Sequence, residues 1–158
     1  MNTVGIGYDV HRFAEYRPLV LGGIEIPHDR GLDGHSDADV LSHAIADAIL
    51  GAAGELDIGH FFPNTDESIR GISSLEILRR VRETLAGKSV EIINIDATVI
   101  AEEPKIAPHL AGMKAALSEA LLLAPERIGI KATTNEGMGF LGRGEGIAAM
   151  AVASVNRP

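Results

Sequence analysis

Val90-Glu-Ile-Ile-Asn-Ile-Asp-Ala-Thr-Val-Ile-Ala101 is rich in Ile and Val and reads as the clearest long strand of the chain. On its N-terminal side the apolar period lengthens. Ser74 to about Ala86 reads as a helix that stops near Gly87. A second helix runs to about Ala53, with Val40, Leu41, Ala44, Ile45, Ala48 and Ile49 on its core side. Its start has the form Ser36-Asp-Ala-Asp39, a hydroxyl at the N-cap with a carboxylate three residues on. Gly54 to Ser68 and residues 27–35 read as loops. Farther back, Pro18 to Ile26 suits a hairpin turning on Gly22-Gly23, and Val4 to Phe13 suits a first strand. On the C-terminal side a helix follows Pro108 and ends near Leu123, and Ile128–Thr133 and Gly146–Val155 read as strands. The order β-β-β-α-α-β-α-β-β predicts an α+β fold, a mixed β-sheet packed on one side by helices, and not a regular βαβ repeat.

At 158 residues, 46% hydrophobic and 23% charged, the chain suits one globular domain over residues 1–158. A net charge of −8 disfavours nucleic acid as a partner, since such binders carry a basic face. A small anionic ligand stays compatible, because a bound metal or a few local cations reverse the field within one cleft. The absence of cysteine excludes disulfides and thiolate sites. No signal peptide is expected, and no apolar run approaches the ~18 residues of a membrane span. The default expectation is a cytoplasmic protein that does not enter membranes.

Asp9 and His11 stand two apart on the first strand, so their side chains share one face about 7 Å apart along it. The pair suits either a surface Asp–His contact or two ligands of one ion. His43 lies on the helix opposite the Leu41/Ile45/Ile49 stripe, between Asp39 and Asp47. It suits either an exposed histidine flanked by ion pairs or a third ligand, and its place near a helix N-terminus disfavours protonation. Asp9, His11 and His43 together would leave one tetrahedral position open, as catalytic zinc requires. Asp33-Gly-His35-Ser36-Asp37 sets His35 and Ser36 beside the helix start, where free N–H groups can meet a phosphate. Lys131 to Gly146 leaves a strand through Thr133, Thr134, Asn135 and Glu136, then turns on glycines toward Arg143. These residues offer donors for phosphate and a carboxylate for Mg²⁺, or else only a long hairpin connection. Neither a P-loop nor a Rossmann fingerprint fits the stretch. At Ala101-Glu-Glu-Pro-Lys-Ile106, Pro104 bends the chain and leaves backbone groups that could read a nucleobase edge.

The motifs GYDVHRF, GG-I-x-IP, GL-x-GHSDADVLxHAIxDAxLGAA, DIGxxFPNTD, AEEPKI and KATTNEGMGFLGRGEGIAAMAV follow one another from Val4 to about Val155. In that combination the chain closely resembles the 2-C-methyl-D-erythritol 2,4-cyclodiphosphate synthase family of the non-mevalonate isoprenoid pathway. The resemblance implies a homotrimer with the sheets facing its axis and the active sites between subunits. It implies 4-diphosphocytidyl-2-C-methyl-D-erythritol 2-phosphate as small-molecule substrate, closed to a cyclic diphosphate with release of CMP. No covalent enzyme intermediate is needed, which suits a chain without a nucleophile motif.

By position, Asp9, His11 and His43 match the family's Zn²⁺ ligands, and Glu136 matches the ligand of a second divalent ion, Mg²⁺ or Mn²⁺. His35 and Thr134 match residues assigned to transition-state stabilisation, with Ser36 alongside. Asp57, Ile58 and Gly59, with Phe62, Pro63, Asn64, Thr65 and Asp66, match the loops around the erythritol and its phosphate. Ala101, Glu102, Glu103, Pro104, Lys105, Ile106 and Ala107, with Thr133 through Glu136, match the cytidine and diphosphate pocket. Phe140 and Arg143 match further substrate contacts, and Arg143 and Glu145 lie near an axial cavity that holds isoprenoid diphosphates in the family. Ala38 stands where Gly is frequent, and Asn135 and Gly137 where other residues often occur. The chain opens directly on the first synthase strand, so the cytidylyltransferase domain fused in some relatives is not expected. Two other readings share these residues: a zinc-dependent phosphohydrolase using activated water, and a non-catalytic trimer binding isoprenoid diphosphates.

Overall fold

A computed structural model describes residues 1–158. Strand β1 (Asn2–Ala14) is followed by the hairpin strands β2 (Leu19–Leu21) and β3 (Ile24–Ile26) and by short β4 (Gly31–Leu32). Helices α1 (Val40–Ala53), α2 (Ile58–Phe61) and α3 (Ser74–Ala86) precede β5 (Glu91–Ile100). Helix α4 (Leu110–Leu121), β6 (Ile128–Thr133), α5 (Gly139–Gly142) and β7 (Gly146–Asn156) complete the chain. The main sheet has the order β4-β1-β7-β5-β6, antiparallel except for β5 beside β6. The mixed sheet read from the sequence is therefore present, with α4 as the crossover between its parallel pair.

Helix α1 lies along β1 and β7, and small residues make that approach close. A Cβ on Gly5 or Gly7 would fall 2.3 or 1.9 Å from the carbonyl oxygen of Ala48 or Ala44. Ala149, Ala151 and Ala153 of β7 are buried in the same core. The Thr3 hydroxyl donates to the Ala52 carbonyl at 2.6 Å. Helices α3 and α4 extend the core with Leu78, Val81, Leu85, Met113, Leu117 and Leu121. The helices thus cover one face. The opposite face is apolar and open, with Val4 73%, Ile6 67% and Val152 48% exposed, beside Tyr8 and Met150.

Four sequence expectations change. Helix α1 starts at Val40 with Asp39 as its N-cap, so Ser36 does not cap it. The Asp39 carboxylate accepts from Ser42 N at 3.0 Å and from Gly22 N and Gly23 N at 2.9 and 2.8 Å, tying the hairpin turn to the helix end. Ahead of it Ala38 sits at φ 58, a left-handed conformation that halts helical winding and suits glycine better than alanine. The loop at 27–35 contains β4, which pairs with Phe13 and Ala14. The loop at 54–68 contains α2 and a 3-10 turn at Glu67–Ile69, capped by Asp57 and Asp66 through His60 N and Ser68 N. The segment after β6 is not a hairpin: β6 pairs only with β5, so the chain passes the end of β5 to insert β7 between β5 and β1.

Candidate metal centre

The alternation of β1 turns Asp9 and His11 toward α1, where His43 reaches them from the first turns of the helix. Asp9 Oδ2 lies 3.1 Å from His11 Nε2 and 3.1 Å from His43 Nδ1. One ligand atom from each of the three residues falls within 4.8 Å of the others, as a shared cation requires. His43 is only 8% exposed, so the exposed-histidine reading fails. Asp39 and Asp47 do not flank it as surface ion pairs. Asp39 is fully buried at the cap, and Asp47 accepts from Ile58 N at 2.9 Å, anchoring α2. Burial raises both carboxyls above their usual range, with Asp37 adding to the shift at Asp39.

Hydrogen bonding decides which ring nitrogens face the centre. His11 Nδ1 donates to the Asp33 carbonyl, leaving the Nε2 lone pair toward Asp9. His43 Nε2 lies 2.9 Å from Ser74 Oγ and 3.2 Å from Ser36 Oγ. With that nitrogen donating, Nδ1 turns its lone pair toward the same Asp9 oxygen. Three acceptors therefore converge on one point, an arrangement that requires a positive charge among them. A divalent cation fits the donor set, and a proton on His11 serves in its place. Burial works to raise the Asp9 carboxyl, but the pairing with His11 first, and the nearby His43 ring after it, outweighs burial and holds it at about 2. The hydrogen bond with Asp9 raises His11 above its usual value against the opposing effect of burial.

A cavity of about 270 Å³ opens beside the triad, lined also by His35, Ser36, Ile58, Gly59, Phe62 and Asn64. Arg17 donates to the Gly34 and Ser36 carbonyls at 2.8 Å each, holding the His35–Ser36 loop over it. His35 Nε2 lies 3.2 Å from the Asp66 carbonyl, which joins the Phe62–Asp66 loop to the same rim. Asp57 caps α2 through His60 N at 3.0 Å, and Asp57, Pro63, Thr65 and Asp66 do not line the cavity.

The expected residues of 101–107 and 133–136 form a second cluster. Ala101 to Ala107 follows β5, and Thr133 to Glu136 ends β6 and begins the next loop. Register places Asp9 beside Ala149, Ala149 beside Val99, and Val99 beside Ala132. At strand spacings of about 4.8 Å, the β6 end therefore stands roughly 14 Å from Asp9, at the same end of the sheet. Within this chain the triad and the β6 end are therefore two separate clusters. Glu136 has φ 54 and Gly137 φ 70, a strained turn that presents the exposed Glu136 carboxylate. Glu102 accepts from Asn135 N at 3.2 Å and from Gly137 N at 2.7 Å, bracketing Glu136. Phe140 and Glu145 line a larger cavity of about 550 Å³ with Arg12, Phe13 and Arg30. Arg143 pairs with Glu145 at 2.9 Å.

Sequence reading missed Ser74 and Asp37. Ser74 was legible only as a helix start, and nothing local shows that it meets His43. No helix is long and apolar enough to cross a membrane.

Fold and centre together define an α+β protein that gathers one carboxylate and two imidazoles, a set able to hold a cation, beside a ligand-sized cavity. The model of the YgbB family matches residues 2–156, and the chain belongs to that family. It is 59% identical to 2-C-methyl-D-erythritol 2,4-cyclodiphosphate synthase of Akkermansia muciniphila, over 98% of this chain and 92% of that protein. The bifunctional IspDF of Campylobacter jejuni superposes with a TM-score of 0.95 at 41% identity, over 100% of this chain and 43% of that longer one. IspF of Plasmodium falciparum, solved as a CDP complex, superposes with a TM-score of 0.85 at 33% identity, over 99% and 96%.

Proposed function

We propose that this protein is a 2-C-methyl-D-erythritol 2,4-cyclodiphosphate synthase acting in the non-mevalonate isoprenoid pathway. It converts 4-diphosphocytidyl-2-C-methyl-D-erythritol 2-phosphate to the 2,4-cyclodiphosphate. The 2-phosphate oxygen bonds to the β-phosphorus, the bond from that phosphorus to the bridging oxygen breaks, and CMP leaves with that oxygen. The observation that carries this reading is the Asp9–His11–His43 centre, in a chain that matches the family from residue 2 to 156.

Asp9, His11 and His43 would hold Zn²⁺, and Glu136 a second divalent ion, Mg²⁺ or Mn²⁺. Bound there, these ions supply neutralisation of phosphate charge and alignment of the reacting groups. Asp9 brings a full negative charge, because its carboxyl stays ionised down to about pH 2. His35 and Ser36, fastened by Arg17, provide a donor edge over the cavity for the attacking phosphate. Ile58, Gly59, Phe62 and Asn64 enclose the erythritol end and limit water, favouring attack by the substrate's own phosphate. Thr134 and the 133–136 backbone serve the diphosphate, while the bend from Ala101 to Ala107 reads cytosine.

Two separate clusters at one end of the sheet, and an open apolar face, support a homotrimer in which each site joins the triad of one subunit to the nucleotide loops of its neighbour. Residues 1–158 make one synthase domain, and the protein works in the cytoplasm. The test is product analysis: the purified protein, the diphosphocytidyl substrate, Zn²⁺ and Mg²⁺, followed by ³¹P NMR and CMP quantitation. Stoichiometric CMP and cyclic diphosphate are expected. A linear phosphate product would assign the centre to a phosphohydrolase instead.

A further inference from the structure

The geometry points to Asp37 and Ser74 as positioning residues that fix the ring of His43 for metal binding, an inference that rests on the cation-site reading above. Ser74 is the first residue of α3 and is completely buried. Its hydroxyl donates to Asp37 Oδ1 in a short hydrogen bond, and its backbone N–H donates to Asp37 Oδ2 at 2.9 Å. An ionised carboxylate accepts only, so the single hydroxyl proton of Ser74 points to Asp37. The Ser74 oxygen then offers a lone pair to His43 Nε2, 2.9 Å away, and that nitrogen carries the proton. The consequence falls on the far side of the ring: Nδ1 keeps its lone pair, 3.1 Å from Asp9 Oδ2.

Without Ser74 the weaker partner at Nε2 is Ser36 Oγ at 3.2 Å, which already accepts from Ala38 N. Asp37 is held in turn, accepting from Asp39 N at 3.2 Å. The relay therefore runs from the α1 entry loop through the N-terminus of α3 to the face of α1 that carries a ligand. Outer partners of metal-bound histidines typically contribute roughly 10–100-fold in metal affinity.

A purely structural role for Ser74, at the start of α3, is separable from this one. Ser73 is the N-cap of α3, its hydroxyl accepting from Leu75 N at 3.3 Å. Removing it perturbs the same helix end without touching His43. The experiment compares wild type, Ser74→Ala and Ser73→Ala by zinc competition against a chromophoric chelator, with thermal melts alongside. Long-range ¹⁵N–¹H spectra of metal-free wild type report the His43 tautomer. The relay requires an Nε2–H tautomer in wild type, an affinity loss of roughly 10–100-fold in Ser74→Ala, and near-wild-type affinity in Ser73→Ala. An Nδ1–H tautomer, or Ser74→Ala binding zinc within twofold of wild type, would overturn it. If Ser74→Ala does not fold, the wild-type tautomer still decides. Wild-type protein that binds no zinc through Asp9, His11 and His43 would instead remove the underlying site.

Discussion

Replacing Gly7 by alanine tests whether the centre depends on how closely α1 approaches β1. The added Cβ would lie 1.9 Å from Ala44 O and 2.8 Å from Ala48 N. Ordinary contact begins near 3.4 Å, so the methyl starts roughly 1.5 Å too close to the helix backbone. Strand β1 cannot readily yield, because its pairing with β7 runs from Asn2–Asn156 to Arg12–Gly146. The displacement falls on α1, and His43 immediately precedes Ala44. A shift of even half that size opens the 3.1 Å spacing between Asp9 and His43 well beyond the ~0.2 Å tolerance of metal–ligand distances. Overpacking of this kind costs about 1–3 kcal/mol or more, a fall of roughly 3–10 °C in Tm for a chain this size. Gly51 supplies the control on the same helix, since its Cβ would meet only Gly5 Cα at 3.9 Å and Ile6 O at 4.0 Å. Gly51→Ala should gain about 0.4–1 kcal/mol and leave zinc affinity unchanged. Scanning fluorimetry and chelator competition on both variants decide the matter. Gly7→Ala with wild-type Tm and wild-type zinc affinity would refute the reasoning.

The bracket around Glu136 predicts that Glu102→Ala raises the Mg²⁺ or Mn²⁺ concentration needed for half-maximal turnover. Each backbone N–H it releases is worth about 1 kcal/mol, and zinc affinity at the triad should not change. A metal titration indistinguishable from wild type would count against the bracket. Ile6→Glu places a carboxylate on the open face of the sheet and, on the proposed trimer, should yield monomers that lack turnover, as read by light scattering and CMP release. Persistence of an active trimer would exclude that face as the interface. Metal-free protein should melt highest between about pH 4 and 6.5. Asp9 is depressed from its ordinary 3.8 to about 2, so its stabilisation is complete above 3.8 and is lost as pH falls toward 2. His11 is raised from 6.5, so its stabilisation is complete below 6.5 and is lost as pH rises through its raised value. A Tm that climbs steadily from pH 6 to 8 in chelator would contradict this sign. Zinc affinity should move the other way over that range, because the proton on His11 competes with the ion.

Local pattern carried much of the architecture. The β-branched run at 90–101 differed from its strand by one residue at each end, and Ser74–Ala86 and Ile128–Thr133 matched theirs. These segments have strong periodicity and clear stops, so tertiary contacts had little to override. The start of α1 was misread because Ser36-Asp-Ala-Asp39 has the form of a capping box, whereas Ala38 takes a left-handed conformation and Asp39 does the capping. The passage of the chain past β5 had no local signal, since strand order is set by which edges pair and not by the residues of the connection.

For the candidate site the division follows the range of each interaction. Strand alternation in the sequence was enough to put Asp9 and His11 on one face, and the family motifs were enough to add His43. The tertiary structure alone decided that the three meet, because the approach depends on glycines in β1 giving α1 room near their backbone. It alone brought Ser74 from α3 to the far side of the His43 ring and turned Glu102 toward the loop around Glu136. It also separated the triad from the loops at 101–107 and 133–136 by the width of the intervening strands. A sequence fixes side-chain direction through periods of two and 3.6 residues. Distances between elements come from packing, which is a property of the whole chain.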